Sequence, residues 1–343
     1  AILAEYNGEK IEYNEIHRFD NVLCEQNGML CWDFDYLLGE VKKAISLAEN
    51  ADSLAFDTWG VDYGMLDKDG NLVSKPVCYR DDRTKGMTDK IYQSVSPSKL
   101  YAKTGNQIMP INTLFQLTAD GTDNAEMFLF MPDLFAYSLC GAKSVDKTIA
   151  STSQMLDLEN VEWQKDIFAL SGKNEKILPP IVNCATVVGE YNGIKVAGHD
   201  TQCAVSAMPC DENITNAFLS CGTWSLIGCE SDLPILTEKS MNDELSNELG
   251  ANGKINYLKN ISGLWLIQEI RRNFRADGKD YSYNDMEQLA RDAKPFQFFI
   301  DPDYDLFAQP GNMPDKIADY CEKTGQGRPS TDGELVRCIY ESL

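Results

Sequence analysis

The chain has 343 residues, 53 acidic against 31 basic, a net charge of −22 and 43% hydrophobic residues. That length predicts two domains sharing a cleft. The charge excludes nucleic acid as a partner, since a polyanion would be repelled, but not a Mg²⁺-bound nucleotide held by backbone N–H groups and its metal.

No apolar run reaches the length of a membrane span and no signal-peptide pattern opens the chain, so no membrane partner is expected and the cytoplasm is the expected location. The eleven cysteines form no CxxC pair and no Cys/His cluster, so no metal ligands are assigned. Cys140, Cys203, Cys221 and Cys229 stand in apolar company and read as buried thiols. Cys321 and Cys338 fall on consecutive predicted helices and could pair, although the odd total and a reducing compartment argue against it.

In chain order, residues 1–6 read as an apolar strand, Asn7-Gly8 as a hairpin turn and 10–16 as an amphipathic strand. Asp35 is expected to cap a helix reaching about Asn50, with Leu38, Val41, Ile45 and Ala48 at helical spacing. Residues 53–57 read as a buried strand running into Thr58-Trp59-Gly60, followed by a strand over 65–67 and a turn at 68–71. Strand, helix, strand and hairpin in succession indicate an α/β domain with a mixed sheet. Gly60 suits either a ligand approaching bare backbone or a β-bulge. The alternating charges of YRDDRT (79–84) read as salt-bridged surface before a helix. Asn112 and Thr113 are expected to cap the helix after Pro110, or to face the cleft as a polar pair. Another helix is expected around 131–139, closed by Gly141.

The stretch VAGHDTQCAV (196–205) reads as a strand end turning into a helix. Asp200 there is either a helix N-cap or a carboxylate presented at a loop tip as a catalytic base. Residues 208–211 are taken as the boundary between domains spanning 1–209 and 210–343. Beyond it, AFLSCGTWSLIG (217–228) reads as a hairpin with Gly and hydroxyls at its tip, a phosphate cradle or only a turn. A helix with Leu264, Ile267 and Ile270 on its apolar face follows, then one over 284–293, and last a helix opened by a capping box at Thr331–Glu334.

Seven blocks together carry a resemblance: FDTWGVDYGMLDKDGNLV (56–73), YRDDRT (79–84), NTLFQL (112–117), LFMPDLFAYSLCG (129–141), GHDTQCAV (198–205), SCGTWSLIG (220–228) and LKNISGLWLIQE (258–269). In family order, they resemble the rhamnulokinases, sugar kinases of the FGGY carbohydrate-kinase family. The resemblance implies an α/β, two-domain actin/hexokinase/Hsp70-like (ribonuclease H-like) fold with a ligand cleft between the domains. It implies Asp200 as the general base. Gly60, His199, Thr201 and Asn260 would join it in contacting the ketose, and Thr223 and Gln268 would lie on the ATP side.

The implied reaction is MgATP-dependent phosphorylation of L-rhamnulose to its 1-phosphate in L-rhamnose breakdown, with residues 1–209 binding sugar and 210–343 binding ATP. Another FGGY kinase acting on fuculose or xylulose, and a non-catalytic sugar-binding relative, are the alternatives. Family members carry a strand and a Gly/Ser-rich phosphate hairpin before residue 1 and a Gly-rich adenosine segment after residue 343. The connection 188–195 is also shorter than the family leads one to expect. The chain is therefore expected to be incomplete at both ends.

Overall fold

The computed structural model describes residues 1–198, 202–210 and 216–343. It divides into two compact units, residues 1–216 with 230–257, and residues 217–229 with 258–343. Both divisions after residue 217 fall inside strands, Trp224–Ser231 and Ile255–Ser262.

In the first unit, Ile2–Tyr6 pairs antiparallel with Ile11–Glu15. The turn between them takes four residues, with Asn7 Oδ1 accepting from the N–H groups of Glu9 and Lys10, both at 3.0 Å. The helix Phe34–Leu47 begins one residue before the expected Asp35 cap. Asp33 occupies the cap position, but its carboxylate is taken by Lys75 Nζ at 2.5 Å. Phe34, the first helical residue, stacks on Phe135 at 5.0 Å, which in turn meets Phe56 at 5.5 Å.

Phe56 ends the strand Ser53–Phe56, which lies parallel to Ile194–Gly198; the latter pairs antiparallel with Val187–Tyr191. The helix Met131–Cys140 lies against these strands so closely that a Cβ on Gly189 would stand 2.5 Å from Cys140 Sγ. It ends at Gly141, whose φ of +75° is the left-handed stop that glycine adopts without strain. The expected hairpin after 65–67 is present but short, with the Val73 N–H on the Met65 carbonyl and the Asp67 N–H on the Asn71 carbonyl, both at 2.9 Å, while Tyr63–Leu66 also pairs with Met127–Phe130.

The segment 230–257 completes this unit. Asn247 donates from its backbone N–H and its side chain to the Gly105 carbonyl, at 2.9 and 3.0 Å. The Leu249 N–H reaches Ser151 Oγ at 2.8 Å, and the Tyr101 hydroxyl donates to the Leu245 carbonyl at 2.8 Å.

The second unit opens with the expected hairpin, Ala217–Cys221 paired antiparallel with Trp224–Ser231. Its core lies among the helices Trp265–Ala276, Tyr283–Asp292, Met313–Lys323 and Asp332–Ser342, where Leu266, Ile270, Met286, Ile317 and Val336 are buried. The capping box at Thr331 and Glu334 is present. A second one, Ser282 with Asp285, opens Tyr283–Asp292 and was not anticipated. Of the thiols expected to be buried, Cys203 is, Cys140 and Cys229 are half-buried, and Cys221 is exposed on the outward side of an edge strand. Cys321 and Cys338 are buried free thiols. Among the described residues no helix is long and apolar enough to cross a membrane.

Candidate active site

The parallel pair in the first unit sets the geometry. Phe56 and Gly198 are register partners at the ends of adjacent parallel strands. The chain therefore leaves Phe56 toward Gly60, and Gly198 toward Asp200, from the same end of one sheet. In open α/β sheets that carboxyl end is where ligands bind. His199, Asp200 and Thr201 themselves lie outside the described residues. The chain resumes in the helix Gln202–Ser206, whose first residue is buried and held. The Gln202 amide donates to the Glu248 carboxylate and accepts from Asn256 Nδ2 at 2.7 Å, while Ser246 Oγ donates to Glu248 at 3.0 Å.

Gly60 stands outside any strand, so it is not a β-bulge. Its carbonyl accepts from the Asp62 N–H at 2.8 Å across Val61, whose φ is +65°. This is a three-residue γ-turn of the rare positive-φ hand, with a β-branched residue at its centre; such backbone costs on the order of 1–3 kcal/mol and persists only where its surroundings enforce it.

The enforcing groups are present. Thr113 Oγ1 donates to the Val61 carbonyl at 2.8 Å, and the Met131 N–H to the Asp62 carbonyl at 3.2 Å. The fully buried Asp62 carboxylate accepts from Trp32 Nε1 at 2.7 Å, Trp59 Nε1 at 2.9 Å, Gln116 Nε2 at 2.9 Å and the Tyr79 N–H at 3.2 Å. The two indoles lie against each other at 4.2 Å. Burial pushes Asp62 up from 3.8 to about 6, against the pull of these four donors.

The network runs on from Gln116 Oε1 to Arg83 Nη2 at 2.7 Å, and Arg83 faces Asp120 at 3.5 Å. Two sequence expectations are corrected here. YRDDRT is only partly surface: Asp82 and Lys85 pair in solvent, but the Arg83 side chain is 10% exposed and points inward. Asn112 occupies the N-cap position of Thr113–Ala119 without a side-chain capping bond, its amide donating instead to Gln154 Oε1 at 2.7 Å and the Gln107 carbonyl at 2.9 Å. Asp62, Trp32 and Gln116 were missed in the sequence, although the blocks DTWGVD and NTLFQL contain two of them.

In the second unit Thr223 sits between the hairpin strands, and Gln268 Nε2 donates to Thr223 Oγ1 at 3.4 Å. The carbonyls of Gly222 and Thr223 accept the N–H groups of Gly263, Leu264 and Trp265 at 2.9 to 3.2 Å, so the hairpin tip caps the helix Trp265–Ala276. Gly263 is confined: a Cβ there would meet Ser225 Oγ at 2.6 Å and the Gly222 carbonyl at 2.7 Å. Asn260 is half-buried on the strand Ile255–Ser262 that leads into this corner. Thr223 and Gln268 are thus brought together within one unit; Gly60 belongs to the other.

The Thr223 hydroxyl and the second amide hydrogen of Gln268 form a small donor pair that suits phosphate oxygens, while the N–H groups of Gly222 and Gly263 are spent on the Trp224 and Thr223 carbonyls. Among the described residues no three His, Cys, Asp or Glu side chains cluster as metal ligands. Mg²⁺ needs no such cluster, since it is commonly held by one or two carboxylates together with substrate phosphates.

The arrangement is that of a two-domain α/β sugar-kinase fold. In solved structures the chain is similar to a xylulose kinase from Lactobacillus acidophilus, with a TM-score of 0.68 at 14% identity over 97% of this chain and 70% of that one. It is likewise similar to Plasmodium falciparum glycerol kinase with ADP, with a TM-score of 0.62 at 12% identity over 86% of this chain and 66% of the other. The family model for the N-terminal domain of FGGY carbohydrate kinases matches residues 8–217 and that for the C-terminal domain matches 217–343. The chain belongs to the FGGY family of carbohydrate kinases, and the protein is a carbohydrate kinase. It is 37% identical to a rhamnulokinase of Bacteroides thetaiotaomicron, across 100% of this chain and 74% of that protein. For rhamnulokinases of Oceanobacillus iheyensis and Bacillus subtilis the identities are 36% and 34%, again over 100% of this chain and over 76% and 74% of theirs.

Proposed function

We propose that the protein transfers the γ-phosphoryl group of MgATP to the 1-hydroxyl of L-rhamnulose, giving L-rhamnulose 1-phosphate and ADP, as a cytoplasmic step of L-rhamnose breakdown. The observation that carries this reading is the register of Gly198 with Phe56, so that the segment leading to Gly60 and the chain following Gly198 both leave from one end of the sheet. The choice of ketose rests on the relatives named rhamnulokinases at 34–37% identity along the chain.

In this reading residues 1–209, joined by Asn260, bind the sugar and 210–343 bind the nucleotide. Asp200 takes the proton from the sugar hydroxyl as its oxygen forms the new bond to the γ-phosphorus; the β–γ bridging oxygen leaves with ADP. Gly60, His199, Thr201 and Asn260 contact the ketose and orient that hydroxyl. Thr223 and Gln268 hold the nucleotide, whose Mg²⁺ arrives on its phosphates and neutralises their charge. Positioning and electrostatics are most of what phosphoryl transfer asks of a protein, so one carboxylate base with these contacts suffices.

The test is coupled ADP release across L-rhamnulose, fuculose and xylulose, with wild type beside Asp200→Asn. Preference for L-rhamnulose, with turnover abolished and ketose binding kept in the variant, is expected. A clear preference for another ketose would retire the substrate. Near-normal turnover by Asp200→Asn would remove Asp200 as the base. Ketose binding with no MgATP binding or turnover by the wild type would favour a non-catalytic relative.

A further inference from the structure

The strongest unexplained feature of the first unit is a fully buried carboxylate to which no catalytic step is assigned. Among the described residues Asp62 faces no cation within its hydrogen-bonded shell; its donors there are two indoles, one carboxamide and one backbone amide. Placing a lone carboxylate in such surroundings is unfavourable compared with an apolar side chain of similar volume. A purely structural role would be met more cheaply by that apolar side chain. Asp62 also closes the positive-φ turn over Val61 with its own backbone N–H, so the residue that carries the charge is the residue that makes the turn.

Its donors come from four separate places in the sequence. They are the strand Met29–Trp32, the loop holding Trp59, the loop before Asp82–Thr84 and the helix Thr113–Ala119. Asp62 is therefore the point at which four elements agree on the position of one turn. Trp59 adjoins Gly60 directly, and its indole is fixed on one side by Asp62 and on its face by Trp32.

We propose that Asp62 is a positioning residue for sugar binding: its carboxylate, gripping Trp32, Trp59, Tyr79 and Gln116, holds the Gly60–Val61–Asp62 turn in the conformation that presents Gly60 to the ketose. This rests on the reading of Gly60 as a ketose contact. Asp62 touches neither substrate, and its effect is confined to how well the sugar site is formed before the sugar arrives. Preorganisation of this kind acts on substrate binding more than on the chemical step.

The test is steady-state kinetics of the full-length enzyme with L-rhamnulose and MgATP for wild type and Asp62→Asn. The variant keeps the size of the side chain and one acceptor oxygen for Trp32, Trp59 and Tyr79, which all meet Oδ2, but sets an N–H donor against the Gln116 Nε2 that meets Oδ1. The expected result is a ketose KM raised about ten-fold or more, equivalent to ~1.4 kcal/mol, with kcat within about three-fold and the ATP KM unchanged. A ketose KM within about two-fold of wild type overturns the proposal, as does a loss shared equally by kcat and both KM values, which a merely structural residue would give.

Should Asp62→Asn fail to fold, Trp59→Phe carries the same test. It removes one donor and leaves Trp32, Tyr79 and Gln116 on the carboxylate, and the same KM shift supports the proposal or, by its absence, overturns it. Failure of the underlying reading would look different: the wild type itself would not turn over L-rhamnulose.

Discussion

Gly263 is pressed against Ser225: a Cβ at residue 263 would lie 2.6 Å from Ser225 Oγ and 2.8 Å from its backbone nitrogen. No side chain fits there without moving backbone, and the backbone in question carries Thr223, whose carbonyl takes the N–H groups of Gly263 and Trp265. Gly263→Ala is expected to cost roughly 1–3 kcal/mol through forced displacement and to raise the ATP KM while leaving the ketose KM unchanged. Urea unfolding and two-substrate kinetics check both parts.

Gly60 is less confined. Its Cβ would stand 3.2 Å from Thr152 Oγ1, which is itself tied to the Ile149 carbonyl at 2.8 Å. Gly60→Ala should therefore destabilise modestly, and Thr152→Ala should recover part of the loss in the double variant. A double-mutant cycle measured by urea unfolding is expected to give a coupling of about 0.5–2 kcal/mol; simple additivity would show that the two residues do not meet.

Asp62 gives stability a pH dependence of definite sign. Burial raises its folded pKa from 3.8 to about 6, so the folded state binds the proton more tightly than the unfolded chain. The contribution is fully present below about pH 4 and is lost as pH rises to about 6, up to about 3 kcal/mol in all. Carboxylates held below their usual range run the other way. Asp33, lowered chiefly by Lys75, is one; Asp120, where the Thr122, Lys173 and Arg83 donors outweigh burial, is another. Subtracting the stability of Asp62→Asn from that of wild type removes these common terms. The difference should fall between pH 4 and 6 and level off above; a rise over that window contradicts the assignment.

Cys321 and Cys338 are buried in the helical core of the second unit, and the neighbouring Cys321 sulfur together with burial pushes the Cys338 thiol up. Thiolate is the reactive form, which protects Cys338; Cys321, lowered by the hydrogen bond from Cys338, is protected by burial alone, and both should resist alkylation in the native protein and react once unfolded. Peptide mapping after alkylation in buffer and in urea tests this, and a cross-linked 321–338 peptide under non-reducing conditions would refute it.

The elements with strong local punctuation were legible from sequence. Asn7-Gly8, Gly141 and the Thr331–Glu334 box each mark an end whose cause is local, and the strand-to-helix change at 198–202 was read correctly on either side of the block. What escaped was decided by distant partners. The first long helix starts from Asp33 rather than Asp35, and the Asp33 carboxylate meets Lys75, far along the chain, instead of making a capping bond. Asn112 looked like a capping side chain until Gln154 supplied a better partner. The charges of YRDDRT gave no sign that Arg83 and Asp81 turn inward, since only the fold places Gln116 and Asp120 beside the one and the Leu30 N–H beside the other. Asp62 was hidden for the same reason: four of its six hydrogen bonds, to Trp32, Tyr79, Gln116 and Met131, are with residues other than its sequence neighbours. Of the assigned site, the pairing of Thr223 with Gln268 needed the structure, because nothing in either block says that a hairpin tip meets the next helix.

The return of residues 230–257 to the first unit has a consequence for synthesis on the ribosome. The Gly105 carbonyl, Ser151 Oγ and the Tyr101 hydroxyl find their partners in Asn247, Leu249 and Leu245, which emerge about a hundred residues or more later. A nascent chain stopped at residue 216 would hold the sequence of the N-terminal domain but leave these groups unmet. The first unit should therefore gain protease resistance only when residue 257 has cleared the exit tunnel, by which time the hairpin of the second unit has already been made. The two halves are translated in sequence, yet their folding overlaps in time.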